Sequence, residues 1–218
     1  MKINRIILGL AVVLAASGLS LAQQNSAGTM NAGTAGMVGR ESKASFDQAN
    51  QKGAATVAAI QPTSAKLSSA DQALMMEVAK GGMMQLEMSK MAVQNASNDE
   101  VRQLAQAEVE EQTGLSTKLQ EIASAKGVTL PSAPDAETTA KLDKMKAQSG
   151  MSFDRMYVTE SGVKGHEKLD GVMSKVKSSA SDRNLKEVAQ AAHPLVKTHL
   201  KVSREVMNKM SGNTSSGR

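Results

Sequence analysis

Glutamate and histidine side chains stand in the middle of several helical patterns of this sequence, at positions where apolar residues are expected. Carboxylate oxygens and neutral imidazole nitrogens are suitable ligands for zinc, iron, manganese and copper(II). In a bundle of antiparallel helices, mid-helix positions lie at similar heights, so these side chains are expected to meet in one layer. The predicted metal ligands are Glu87, Glu111, His166 and His199, with Glu108, Gln112 and Glu160 as their neighbours.

Two alternatives to that metal site stay open in the sequence. Polar side chains in a bundle core commonly hydrogen-bond one another, so His199 could bond Glu87 or Tyr157 without any metal. A run of methionines offers thioether sulfur to copper(I), although methionine also fills cores in chains with few aromatic residues. These methionines are Met75, Met76, Met83, Met84, Met88 and Met91.

Catalytic motifs are not indicated. None of the three histidines stands in a motif for an activated serine, and scattered residues do not define a catalytic triad. We therefore expect a protein that is not an enzyme.

Four amphipathic patterns predict the helices that position the polar residues. Helix-stop and capping signals mark their ends, such as the Ser97 to Glu100 capping box and the glycine at Gly127. Pro194 removes one backbone hydrogen bond and is expected to kink the last helix after Gln190. The predicted helices span 71–95, 97–126, 153–177 with Ser152 as cap, and 182–210, and a shorter helix at 136–148 lies in the long connection between the second and third.

The apolar stripes of these helices predict their buried faces, and strand signals are scarce. The sequence therefore predicts an all-α fold, an antiparallel four-helix bundle. The predicted stripes are Met75, Ala79, Met83, Leu86 and Val93; Val101, Leu104, Leu115, Leu119 and Ile122; Phe153, Met156, Val163, Met173 and Val176; and Leu185, Val188, Ala192, Val196, Val202 and Val206.

The N-terminal part of the chain predicts export. Residues 1–22 combine basic Lys2 and Arg5, an apolar run and small residues before a cleavage site, which is the layout of a signal peptide. Residues 23–69 are rich in small polar residues and predict a flexible leader, with a short helix near 44–60 as an option. The bundle domain is expected at 70–210 and a disordered tail at 211–218.

Composition excludes several partners. No cysteine is present, so no disulfide forms. Once Lys2 and Arg5 leave with the signal peptide, 24 basic residues remain against 21 acidic ones, which does not indicate a nucleic-acid partner. With two phenylalanines, one tyrosine and no tryptophan, the chain also lacks platforms for stacking bases. Beyond the signal peptide, no apolar run is long enough to span a membrane.

An ordered set of segments resembles an exported bacterial family catalogued as domain of unknown function 4142, whose members are often labelled outer membrane proteins. The segments are GGMMQLEMSKMAVQNASNDEVRQLAQ, KGVTLP, FDRMYV, GHEK and HPLVKTHL, and the resemblance covers residues 70–210. It implies a ferritin-like four-helix bundle and no established reaction.

The resemblance also bears on the site. His166 and His199 match the family's histidines, whereas Gln112 stands where the family usually has a histidine and Glu108 where it often has an apolar residue. The chain has no Glu-x-x-His motif, so the ferroxidase activity of a di-iron centre is not expected.

These observations favour a non-enzymatic interaction protein of the cell envelope, periplasmic or associated with the outer membrane. Its partner would be another envelope protein or a cell-surface component, contacted through the leader or through the methionine-rich first helix. The alternative is a metal-binding bundle. The sequence does not indicate an oligomeric state.

Overall fold

The structure, a computed structural model, describes residues 36–212. The predicted signal peptide, the first part of the predicted leader and most of the predicted tail lie outside this range. The elements are β1 (Met37–Val38), β2 (Glu41–Ser42), α1 (Lys43–Ala58), α2 (Ser69–Asn95), α3 (Asp99–Lys126), α4 (Ala136–Lys146), α5 (Gly150–Tyr157), a π-helical segment (Val158–Gly165), α6 (His166–Ser179) and α7 (Arg183–Gly212).

Four long helical stretches form the core. They are α2, α3, the continuous run from α5 through the π-helical segment to α6, and α7. The prediction of an all-α bundle is confirmed, and the short helix α4 lies in the predicted connection. None of the described helices is long and apolar enough to cross a membrane.

Two apolar clusters fill the bundle, and polar residues lie between them. Along α3, Leu104 belongs to one cluster and Leu115 to the other; along α7, Val202 and Val196 are divided in the same way. The predicted apolar stripes of α3 and α7 are confirmed, because every residue in them is buried. The polar residues therefore occupy a layer inside the bundle.

The loops of the two helical hairpins are held by the same pair of hydrogen bonds, from a serine to an aspartate. Between α2 and α3, the backbone N–H of Ser97 donates to Oδ1 of Asp154 at 3.0 Å, and its hydroxyl donates to Oδ2. Between α6 and α7, Ser181 makes the same two bonds to Asp71, with a backbone distance of 2.9 Å. Each hairpin thus supplies the carboxylate that orders the loop of the other.

Helix starts differ from the predictions in two places. Asn98 rather than Ser97 caps α3, since its side chain accepts hydrogen bonds from the N–H groups of Glu100 and Val101. Ser97 is engaged by Asp154 instead. The third long helix begins at Gly150, before the predicted cap Ser152. The π-helical segment was not predicted, and α7 continues as a helix through Pro194.

Residues 36–69 differ from the predicted flexible leader, although the helix considered near 44–60 is present as α1. A hairpin and a 16-residue helix, α1, occupy most of this segment and contact the bundle. Val38, Phe46 and Val57 are buried, and Gly53 lies so close to Leu195 that an added Cβ would be 2.2 Å from its Cδ1. A few well-spaced apolar residues are enough to anchor a segment whose average composition is polar.

The predicted buried face of α2 is rotated from the observed one. Met75 is buried as predicted, but Ala79, Met83, Leu86 and Val93 are only partly buried. The buried positions include Gly82, Gln85 and Ser89, together with Asp71, Leu74, Val78, Met84, Met88 and Ala92. Hydrophobicity alone misplaced this face because small and polar residues occupy its centre.

Candidate metal centre

Glu108 is the residue on which the polar layer converges. It lies on α3 inside the apolar stripe and is fully buried. Its Oε2 lies 3.0 Å from Nε2 of His166 and 2.5 Å from Nδ1 of His199. Its Oε1 accepts a hydrogen bond from Nε2 of Gln112 at 3.0 Å. One carboxylate therefore links α3 to α6 and α7.

The π-helical segment positions the ring of His166. Nδ1 of this histidine lies 2.9 Å from the carbonyl oxygen of Gly162 and 3.1 Å from that of Ser161. Gln85 on α2 supports the segment by donating to the Ser161 carbonyl and accepting from its hydroxyl. In the neutral tautomer that donates from Nδ1 to these carbonyl oxygens, the lone pair of the ring lies on Nε2, toward Glu108.

Helix α1 positions the ring of His199. Its Nε2 lies 2.7 Å from Oδ1 of Asn50, and its ring packs against Phe46 with centroids 5.1 Å apart. An amide oxygen facing Nε2 makes Nε2 the donor. The lone pair of the neutral ring therefore lies on Nδ1, which faces the same oxygen of Glu108 as does His166.

Glu111 lies one turn further along α3 and is buried with little support. Its Oε2 is 3.3 Å from Nε2 of His199, whose N–H is directed to Asn50. Neither carboxyl oxygen of Glu111 has a hydrogen-bond partner among the described residues. A buried group in this state is costly unless a partner is supplied.

The charges of the layer are unevenly distributed. Burial favours raising the pKa of Glu108, but the charges of His166 and His199, with their hydrogen bonds, hold that pKa far below its usual range. Burial likewise favours lowering the pKa of His166, but the Glu108 carboxylate and two backbone carbonyls raise it. Burial, aided by the charge of Glu108, raises the pKa of Glu111 well above its ordinary value.

A cavity reaches the layer from the α1 side. Its volume is about 310 Å³, and its lining includes Asn50 and Glu111, the two residues beside Nε2 of His199. Asp47, Gln103 and Glu110 also line it. The otherwise buried layer is therefore adjacent to an open space.

The structure brings together some of the predicted ligands and separates others. Glu111, His166 and His199 lie in the layer, and the predicted neighbour Glu108 is at its centre with Gln112 beside it. Glu87 is partly exposed and pairs with Lys90. Glu160, a predicted neighbour, is partly exposed and pairs with Lys164. Three ligand atoms, one each from Glu108, His166 and His199, lie within 4.8 Å of one another.

Neither hydrogen-bonded alternative for His199 is the arrangement observed. Its partners are Glu108 and Asn50, while Tyr157 bonds Ser89 at 2.9 Å. Of the six methionines considered for copper(I), Met75, Met84 and Met88 are buried in the apolar clusters and the others are partly buried. Methionine on α2 thus fills the core.

Sequence reasoning missed Asn50 and Gln85. Asn50 had a detectable signal, because Phe46, Asn50, Gly53 and Val57 recur at helical spacing and form one face of α1. No hydrophobic pattern in the sequence indicates that Gln85 is buried, because it is a polar residue whose burial depends on contacts with other helices.

One family model matches the chain over residues 56–206, and its description is a domain of unknown function (DUF4142). The matched range contains the end of α1, all of α2 to α6 and most of α7, with Glu108, His166 and His199. No curated protein and no solved structure matches the chain.

Proposed function

The chain belongs to the DUF4142 family, and from that premise we propose that it binds one divalent transition metal inside its bundle, with Glu108, His166 and His199 as ligands. The family description names no reaction, so the proposal depends on the arrangement of these three side chains.

The orientation of the two rings is the observation that supports the proposal. Each imidazole donates from its outer nitrogen, His166 to backbone carbonyls and His199 to Asn50. In the neutral rings so oriented, both inner nitrogens face the same Glu108 oxygen with lone pairs, and without a metal they must carry protons that Glu108 accepts. Two lone pairs and a carboxylate oxygen attract one another only through a cation, either protons or a metal ion.

The spacing of the ligand atoms suits a small divalent ion. With metal–ligand bonds of about 2.0–2.2 Å, neighbouring ligand atoms are separated by about 3 Å and more distant ones by about 4 Å. The contacts of 3.0 Å and 2.5 Å and the overall spread of 4.8 Å require shifts of side chains but not of helices. Two histidines and one carboxylate are typical ligands of zinc and of iron(II), and manganese and copper(II) are the remaining candidates.

Outer contacts of the rings also fit metal ligands. Ligating histidines usually donate their second N–H to a carbonyl or carboxylate, which fixes the ring orientation. His166 does so to the π-helical segment, and π-helical turns are frequent at functional sites. His199 does so to Asn50.

The test is thermal unfolding of untagged protein, first stripped with chelator and then given zinc, iron(II), manganese or copper(II). Elemental analysis of protein taken from its native compartment accompanies it. At a metal concentration of about 100 times Kd, ligand linkage stabilises the native state by about 2.7 kcal/mol, a shift of several degrees. The variant His199→Leu should lose this response.

The matched control is His193→Gln, which removes a histidine of the same helix that pairs with Asp170 outside the layer. It should keep the full metal response. If no metal raises the melting temperature of the wild type, the metal-binding proposal fails.

We also retain the cell envelope as the proposed setting, on the signal-peptide layout of residues 1–22. An interaction role there stays a prediction. Among the described residues, Met151 is the single large hydrophobic side chain classed as exposed, at 56%. The described surface therefore adds no apolar docking site in its favour.

A further inference from the structure

A metal ion cannot reach the proposed ligands directly from solvent. Glu108 and His199 are 0% exposed and His166 is 2% exposed. Five helices enclose these side chains. The ligands lie on α3, α6 and α7, while Gln85 of α2 contacts His166 and Asn50 of α1 contacts His199. Loading of the centre therefore needs a path through the protein.

The cavity beside α1 is the open space that comes nearest to the centre. It contains about 310 Å³ and is lined by Asn50 and Glu111, both of which lie beside Nε2 of His199. Asp47 and Glu110 add two more carboxylates to its wall, and its one lysine, Lys43, is paired with Asp47 at 2.5 Å. The wall thus favours a cation.

Glu111 is the side chain that marks the inner end of the cavity as a ligand site. It is 6% exposed, and both of its carboxyl oxygens lack a hydrogen-bond partner among residues 36–212. A buried carboxyl group without a hydrogen-bond partner is costly, and binding a cation removes that cost. Oε2 of Glu111 lies 3.3 Å from Nε2 of His199, so an ion held there would be next to the centre.

From this arrangement we infer that the cavity is the path by which the metal enters and leaves, and that Glu111 is its transient ligand on the way to Glu108, His166 and His199. The inference rests on the proposed metal-binding function. It assigns Glu111 a kinetic role, distinct from that of the three permanent ligands.

A transient ligand has a specific kinetic signature. It lowers the barriers between solvent and the centre without changing either end state, so its loss slows binding and release by the same factor. The ratio of the two rate constants, which is Kd, then stays unchanged. Loss of a permanent ligand instead accelerates release and weakens binding.

The experiment follows Co²⁺, whose visible absorption reports nitrogen and oxygen ligation, by stopped flow with the full chain. Release is measured by mixing the loaded protein with excess chelator. For Glu111→Gln we expect both rate constants to fall about tenfold or more, because the neutral amide is a much weaker ligand for a passing cation and the barrier rises in both directions. The control Glu110→Gln removes the neighbouring carboxylate of the cavity wall and should change both rates less than about threefold.

A second variant tests the path without changing any charge. Ala54 lies on the exposed side of α1 and lines the cavity, so Ala54→Phe fills the space without entering the apolar core. It should also slow binding and release together. Circular dichroism of each variant checks the helical fold.

The outcomes are distinguishable. If Glu111→Gln and Ala54→Phe exchange Co²⁺ at the wild-type rates, the path is wrong while the metal centre stands. If Glu111→Gln releases Co²⁺ faster and weakens its affinity, Glu111 is a permanent ligand and the transient role is overturned. If the wild type takes up no metal at all, the proposed function itself fails.

Discussion

The two helical hairpins of the bundle have equivalent ends and different middles. Ala96-Ser97-Asn98 closes the hairpin of α2 and α3, and Ala180-Ser181-Asp182 closes the hairpin of α6 and α7. In each, the serine N–H and hydroxyl donate to one buried aspartate of the other hairpin. The chain thus satisfies both helix connections by one hydrogen-bonding solution.

Between those ends the hairpins supply opposite chemistry. The first hairpin contributes the carboxylates of Glu108 and Glu111, and the second contributes the imidazoles of His166 and His199. A bundle needs satisfied helix ends in order to fold, but it does not need charged groups in its centre. The hydrogen bonds at the hairpin loops are therefore explained by folding, whereas the buried polar layer is better explained by a function.

The largest expected effect comes from removing the carboxylate of Glu108, which connects the central parts of the two hairpins. In chelator, Glu108→Leu should lower the free energy of unfolding by about 3–5 kcal/mol, because it leaves two buried imidazoles without their shared acceptor. Urea unfolding at neutral pH measures the change. The variant should also lose the metal response.

The matched control for Glu108 is Glu87→Leu. Glu87 is partly exposed and its partner Lys90 is on the surface, so the expected change is within about 0.5 kcal/mol. Similar losses for both variants would contradict the importance assigned to the polar layer.

The next largest effect should be equal in the two hairpins. Asp71→Ala and Asp154→Ala each remove a buried carboxylate that accepts from a serine N–H and hydroxyl. Hydrogen bonds to charged groups contribute about 1.5–3 kcal/mol, so each variant should lose about 2–4 kcal/mol. Urea unfolding of both variants tests the equivalence, and a difference of more than about 2 kcal/mol would break it.

The fold was predictable wherever hydrophobicity alone selects the buried face. On α3 and α7 the predicted stripes are the observed ones, and His199 was correctly placed among the buried residues of α7. On α2 the centre of the buried face is Gly82, Gln85 and Ser89, selected by close approach and hydrogen bonding. Such selection depends on partners from other helices, which a single helical pattern does not contain.

The sequence predicted which types of residue form the site better than it predicted which individual residues belong to it. The layer of carboxylates and imidazoles exists, but Glu87 is outside it and Glu108 is its centre. Glu87 was chosen because it lies beside the predicted face, between Met83 and Met91, and on the observed face all three are only partly buried. Asn50 was not predicted as a site residue, because the polar average composition of residues 23–69 was taken to indicate a flexible leader without a packed helix face.

A smaller effect concerns pH and the hairpin end held by Asp71. Burial favours raising the pKa of Asp71, but its hydrogen bonds from Ser181 and Ser68 hold the pKa below the ordinary value of 3.8. A depressed carboxyl pKa contributes stability above the unfolded-state value, and that contribution is lost as the pH falls through the folded-state value.

The difference in unfolding free energy between wild type and Asp71→Ala should therefore be constant from pH 7 to about 5 and shrink below about pH 4. Urea titrations at fixed salt measure it. A difference that grows on acidification would reverse the sign and contradict the assignment.

The smallest expected effect is a matched pair of stabilising changes, one in each hairpin. Gly114 on α3 and Gly171 on α6 are exposed helical glycines, and an added Cβ would meet nothing within 4 Å at either position. Alanine at such a site should raise the free energy of unfolding by about 0.5–1 kcal/mol, because glycine loses more backbone entropy on folding. Gly165→Ala is the contrasting variant, since its Cβ would lie 2.5 Å from Oε1 of Gln85 beside the polar layer. It should destabilise the protein, and melting curves of the three variants would then separate glycines that the fold merely tolerates from one that the layer requires.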